Sequence, residues 1–258
     1  MNKTALRRGQ TGCGRRCETR HDRIRTLAAI VLAPIILWAA TQSTSQAAQS
    51  STAASAQGTG KSADTNLRTL LVLGDSISAE YGLKRDSGWV KLIEARLQKE
   101  GSAYDVVNAS ISGETTSGGL SRIDELLSRL HPAIVIVELG GNDGLRGLSL
   151  ATTEENLGAI ITRSQKAGAA VLLIGMQLPP NYGKAYTDRF AAIYAQSAKR
   201  YKTALTPFFF VGFADRYELF QPDRIHPTEA AQVRLAENVW SALRPLLRSS
   251  RAPSTRHQ

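Results

Sequence analysis

The chain has 258 residues, enough for one sizeable domain with a real core. Its 42% hydrophobic and 21% charged residues place it among ordinary globular proteins. The formal charge is +10, but residues 1–47 hold eight Lys/Arg against two Asp/Glu, and the rest of the chain shows no basic run interleaved with aromatics, which argues against nucleic acid as a partner.

Residues 1–47 read as a signal peptide. Arg7, Arg8, Arg15, Arg16, Arg20, Arg23 and Arg25 make a long basic region. Residues 27–40 follow as an uncharged apolar run of 14, interrupted by Pro34. That run is too short to span a bilayer comfortably as a helix. Small residues come next, with Ser45-Gln46-Ala47 as one cleavage site and Ala54-Ser55-Ala56 as a second. An uncleaved anchor is the alternative. The expectation is export to the bacterial periplasm or medium, with no stable membrane span after cleavage. Both cysteines, Cys13 and Cys17, lie in this segment. Their C-x-x-x-C spacing without a second ligand pair is weak evidence for a metal site. The mature body would have no thiol chemistry and no disulfide.

Residues 48–66 are small and polar, as in a disordered linker. Residues 67–248 carry the domain, and 249–258 read as a disordered tail. Short apolar runs predict strands at 69–73, 104–108, 133–138, 169–174 and 205–210, continuous and rich in Val, Ile and Leu as strands buried on both faces are. Helical spacing falls between them. Trp89, Leu92, Ile93 and Leu97 mark the first helix, stopped by Gly101, and Leu120, Ile123, Leu127 and Leu130 mark the second. Thr152 with Glu155 makes a capping box for the third, with Leu157, Ile160 and Ile161 behind it and Gly168 as its stop. Phe190, Ile193, Tyr194 and Ala198 mark the fourth. Val233, Ala236, Trp240, Leu243 and Leu247 mark the last, with Thr228 as its cap. Five strands alternating with five helices predict an α/β fold with a parallel sheet covered on both faces. In such sheets, sites form beyond the carboxyl ends of the strands.

Three of the strand ends, and a loop after the last strand, carry polar clusters. They are Gly74-Asp75-Ser76, the run from Asn108 to Thr115, Gly140-Gly141-Asn142-Asp143-Gly144, and Asp223-Arg224-Ile225-His226-Pro227. Acyl transfer needs a hydroxyl nucleophile, a base, an anion that orients the base, and donors for the oxyanion. Ser76, at an expected strand-to-helix turn, supplies the hydroxyl. His226 is the only histidine in a rim cluster, and Asp223 stands three residues before it. The Ser76 N–H, the Gly113 N–H and the Asn142 amide are the expected oxyanion donors. Asp75 and Asp143 read as structural acceptors. Glu138, at the end of an apolar strand, would need partners once buried. Trp89, Trp240 and the run "PFFFVGF" read as core, the latter as strand, and His131 reads as a cap or surface residue.

The motifs "GDSIS", "SGETT", "GGND" and "DRIHP", in that order, resemble those of the SGNH/GDSL hydrolase superfamily. "NASISGETTSGG", "VELGGNDGLRG" and "LPPNYG" are similar to the bacterial periplasmic thioesterase I/lysophospholipase/protease I type of arylesterase. The resemblance runs from about residue 70 to about 247. It implies a three-layer α/β/α flavodoxin-like fold with a five-stranded parallel sheet. It assigns Ser76 as nucleophile, Asp223 and His226 as the other triad members, and Ser76, Gly113 and Asn142 as the oxyanion hole. Aryl esters, acyl-CoA and lysophospholipids are the implied substrates, with no cofactor and no metal. The chain is expected to act on small molecules as a monomer. Leu145, Leu148, Met176, Leu178, Pro179 and Tyr182 are expected to line the acyl groove. Ile77 replaces the family's usual Leu. Glu80 and Arg224 are departures that would put charge near the site. Two other readings stand beside this one, a carbohydrate O-deacetylase and a non-catalytic binding module on the same fold.

Overall fold

The computed structural model describes residues 67–249; the expectations for the signal peptide, the linker and most of the tail concern residues outside that range. Five strands, β1 (Arg68–Gly74), β2 (Tyr104–Asn108), β3 (Ile134–Glu138), β4 (Ala170–Ile174) and β5 (Ala204–Thr206), form one parallel sheet in the order β2-β1-β3-β4-β5. The helices are α1 (Trp89–Lys99), α2 (Thr116–Leu130), α3 (Gly141–Leu145), α4 (Leu150–Lys166), α5 (Lys184–Tyr201) and α6 (Glu229–Ser249). α1 and α6 pack together on one face, and α2, α4 and α5 pack in succession on the other. The result is the expected three-layer, flavodoxin-like arrangement.

Composition explains the layering. Leu70–Leu73 in β1 and Ile134–Val137 in β3 are at most 1% exposed, because helices cover both faces of these strands. Full burial of each such side chain contributes about 1.5–3 kcal/mol. The edge strand β2 differs: only Tyr104 is buried, so its apolar run serves one side. β1 is interior, but β3 is the middle strand. The chain leaves β1 for β2 on one side and returns to β3 on the other, so a crevice opens between the ends of β1 and β3.

Three sequence expectations are corrected. The strand expected at 205–210 stops at Thr206, since Pro207 has no N–H for the ladder. The phenylalanines after it form a turn, in which Phe209 and Phe213 are buried and pack with Phe210 and Phe220. They are core without being strand. The cap of α4 is Ser149, whose hydroxyl accepts from the Thr152 N–H at 3.3 Å; Thr152 lies inside the helix. Finally, no helix follows Ser76 directly, because α1 begins only at Trp89. Other ends match: His131 caps α2 in a left-handed conformation (φ 42°) before Pro132, and Thr228 immediately precedes α6. The Thr228 hydroxyl is spent on the Leu219 carbonyl.

Candidate active site

β1 ends on Gly74, where the backbone runs against Ser78 and Glu138. A Cβ at Gly74 would come within 2.7 Å of the Ser78 hydroxyl and 2.9 Å of the Glu138 carboxylate. Asp75 then turns the chain: its Oδ1 accepts the Ile77 N–H at 3.0 Å, and its carbonyl accepts the Ala79 N–H at 2.9 Å. This compact turn presents Ser76 at the strand's carboxyl end, only 8% exposed.

The partner loop comes from the other end of the domain. Asp223 Oδ1 accepts the Ile225 and His226 N–H groups at 2.9 and 3.1 Å, which folds the loop around the carboxylate. His226 Nδ1 lies 2.6 Å from Asp223 Oδ2, and His226 Nε2 lies 2.8 Å from Ser76 Oγ. Burial would raise the Asp223 carboxyl, but the hydrogen bonds from Ile225 and His226 outweigh it and hold it below the usual range. An ionised Asp223 requires a proton on Nδ1, so Nε2 is left to accept the Ser76 hydroxyl proton. The Tyr81 ring packs against the imidazole in a tilted arrangement, 4.5 Å between centroids and 41° between planes. Gln221 laces the two loops: its Nε2 donates to the Tyr81 carbonyl at 2.8 Å, and its N–H donates to the His226 carbonyl at 2.8 Å. Nearby, the Lys84 N–H donates to Glu229 at 2.8 Å and the Trp89 N–H to Gln232 at 3.0 Å.

Gly113 and Asn142 reach the same crevice. The Ile111 N–H donates to the Gly74 carbonyl at 3.0 Å, which docks the loop after β2 against the end of β1. Gly113 adopts φ +79°, where a side chain is strained. Among the described residues, neither the Ser76 nor the Gly113 N–H meets a protein acceptor. Asn142 lies in the short helix α3, an element hidden by the glycines around it. Its Nδ2 donates to Asp75 Oδ2 at 3.1 Å and to the Glu114 carbonyl at 3.0 Å. Two tyrosines hold α3 from outside: Tyr182 donates to the Leu145 carbonyl at 3.0 Å, and Tyr186 to the Gly144 carbonyl at 3.1 Å. Asp143 faces away and accepts from the Thr116 N–H and hydroxyl at the start of α2.

Behind the turn, two carboxyls are buried together. Glu138 Oε2 accepts the Ser78 hydroxyl at 2.6 Å and the Asp75 N–H at 3.3 Å. Burial raises Asp75 to about 6 and raises Glu138 well above the ordinary carboxylate range, the latter further through the charge of Asp75. Burial and the nearby Asp75 charge together favour the protonated form of Glu138.

The expected groove residues divide. Leu148, Pro179 and Tyr182 are exposed on the loops above the strand ends. Leu145 is half-buried against the core, and Met176 and Leu178 are buried within it, so these last two form no open wall. The departures also resolve. Glu80, at φ 59°, accepts the Asp86 and Gly88 N–H groups at 2.8 and 2.7 Å and builds the loop before α1. Arg224, at φ 58°, turns its guanidinium over the Tyr217 ring. Sequence reasoning missed Tyr81, Gln221 and Arg146, whose roles come from loop geometry with no spacing signal. Among the described residues, no group of three or more His, Cys, Asp or Glu side chains is arranged to hold a metal ion.

A hydroxyl, an imidazole and a carboxylate in series at the carboxyl edge of such a sheet are the equipment of an ester-hydrolysing enzyme. The chain belongs to the GDSL-like Lipase/Acylhydrolase family, whose sequence profile matches residues 72–234. It is 53% identical over 180 residues to the "Esterase TesA" of Pseudomonas aeruginosa, covering 70% of this chain and 90% of that one. It is 42% identical over 179 residues to the "Thioesterase 1/protease 1/lysophospholipase L1" of Escherichia coli K12, covering 69% and 85%. A solved structure, "Crystal Structure of TesA", superposes with a TM-score of 0.68 at 52% identity, covering 69% of this chain and 99% of that one.

Proposed function

We propose that this esterase hydrolyses acyl esters and thioesters through an acyl-enzyme on Ser76. The observation that carries the reading is the unbroken series from Ser76 Oγ to His226 at 2.8 Å and from His226 to Asp223 at 2.6 Å. As Oγ attacks the carbonyl carbon, His226 Nε2 takes its proton and ionised Asp223 stabilises the imidazolium. The unpaired N–H groups of Ser76 and Gly113 receive the oxyanion, with one amide hydrogen of Asn142 turning from the Glu114 carbonyl toward it. His226 then protonates the leaving group. It next takes a proton from water, whose oxygen attacks the acyl carbon, and returns that proton to Ser76 Oγ as the Oγ–acyl bond breaks.

Substrates of this reading are aryl esters, acyl-CoA and lysophospholipids. The name of the Escherichia coli relative supports the thioester and lysophospholipid part. The signal-peptide reading of residues 1–47 supports a periplasmic or secreted location. Among the described residues, no helix is long and apolar enough to cross a membrane.

The test is covalent trapping with a fluorophosphonate, alongside hydrolysis of p-nitrophenyl and CoA esters across chain lengths. Ser76 should carry the adduct. Ser76→Ala should fold normally, label nowhere in the site and lose about 10⁴-fold or more in kcat. Folded wild-type protein without an adduct on Ser76 would sink the proposal.

A further inference from the structure

We propose that Arg146 is a positioning residue that locks the two halves of the oxyanion hole together. It follows α3 directly, four residues after Asn142. Its Nη2 donates to the Gly113 carbonyl at 3.0 Å and reaches Asn142 Oδ1 at 3.4 Å. One guanidinium nitrogen thus touches both residues expected to receive the oxyanion, one on the loop after β2 and one on α3.

The contact does three things. First, it selects the orientation of the Asn142 amide. Oδ1 faces a cation while Nδ2 faces two acceptors, Asp75 Oδ2 and the Glu114 carbonyl. The flipped amide would set its NH₂ against the guanidinium and its oxygen against a carboxylate. Second, the contact fixes the spacing of the donors. Asp143 ties α3 to Thr116 at the start of α2, and the bond from Asn142 Nδ2 to the Glu114 carbonyl bridges closer to Gly113, but the proposed chemistry takes that last hydrogen away. The Arg146 bonds survive that step, because one uses the Gly113 carbonyl and the other the opposite end of the amide. Third, a positive charge at Oδ1 polarises the amide and strengthens Nδ2 as a donor in the transition state.

The side chain is free for this task. Arg146 makes no ion pair with a carboxylate among the described residues, although other rim arginines do or stack on rings. The guanidinium packs at van der Waals distance from where a Gly113 Cβ would lie, 3.4 Å, so it is the φ of +79° rather than the arginine that requires glycine there.

The inference rests on the Ser76 reading, and the experiment separates the two. Arg146→Met, Arg146→Lys and Arg146→Gln are compared with wild type on a p-nitrophenyl ester, with Tm recorded and methylguanidinium added. Arg146→Met should lower kcat about 10- to 100-fold with KM nearly unchanged, because only transition-state contacts are lost. Arg146→Lys should retain part of the loss-prone activity, since one donor and the charge remain. Added methylguanidinium should restore kcat in Arg146→Met and leave wild type unaffected. The proposal is overturned if kcat stays within about twofold of wild type, or if KM rises while kcat holds, which would make Arg146 a ground-state substrate contact. It is also overturned if kcat falls only together with Tm and methylguanidinium restores nothing. Fluorophosphonate labelling of wild-type Ser76 is read separately: without it the Ser76 reading fails, whatever the Arg146 variants do.

Discussion

Asp75 Oδ2 accepts an amide hydrogen of Asn142 at 3.1 Å, which ties the residue beside the expected nucleophile to an expected oxyanion donor. The same Asp75 is buried and titrates near 6, held up first by desolvation. Between its ordinary value of 3.8 and about 6, the folded protein keeps a proton that the unfolded chain releases. The contribution of Asp75 to stability therefore falls as pH rises through that window, by at most about 1.4 kcal/mol per pH unit for one proton. Asp75→Asn removes this slope. Thermal unfolding of both proteins from pH 4 to pH 7 should show the variant gaining on wild type as pH rises. Its kcat should nonetheless fall about 10- to 100-fold, because an amide at position 75 disturbs the Asn142 acceptor. A constant stability difference across the window would show that Asp75 titrates normally.

Burial and the Asp75 charge favour a neutral Glu138, so an amide of the same shape should replace it well. Glu138→Gln should keep kcat at pH 7 within about threefold of wild type, as no charge is lost. Glu138→Ala leaves the Ser78 hydroxyl and the Asp75 N–H without their acceptor and should cost about 3 kcal/mol or more. Urea denaturation measures the second effect and steady-state kinetics the first. Equal damage from the two substitutions would mean that the Glu138 charge is needed.

Much of this site was legible because three of its polar clusters follow closely on an apolar strand, and the fourth, Asp223–Pro227, carries its Asp and His three residues apart after a loop. Gly74-Asp75-Ser76 sits on the end of β1, and Gly140-Gly141-Asn142 follows β3. A parallel sheet gathers such ends at one edge whatever the strand order. The order itself was not legible, nor that β3 rather than β1 is central. α3 was hidden because two glycines open it and it spans only Gly141–Leu145. The true cap of α4 was hidden because Ser149 and Thr152 are both good caps, and burial of Leu150 decided between them. The proton on Glu138 depends on a neighbour 63 positions away, which no local pattern encodes.

Asn142→Ala removes the side-chain donor without touching the backbone of α3. It should lower kcat about 10²–10³-fold with little change in KM, measured on a p-nitrophenyl ester. A loss of only about twofold would remove Asn142 from the oxyanion role.

Tyr81 covers one face of the His226 ring. Tyr81→Phe keeps the ring contact and should match wild type. Tyr81→Ala forfeits about 0.5–1.5 kcal/mol, or about 2- to 12-fold in kcat. Equal losses in both variants would place the effect in the hydroxyl instead.

Gln221, Glu229 and Gln232 fasten the end of the domain to the loop that follows β1. The serine and histidine proposed to react lie 150 positions apart in the sequence. A chain growing on the ribosome therefore makes its serine early and its histidine only near the close of synthesis. On the proposed reading, the growing polypeptide lacks its base until the Asp223–His226 loop has been made and docked against Ser76. Ribosome-stalled chains ending before Asp223 should accordingly show no hydrolysis, although they already carry the whole of β1 and Ser76.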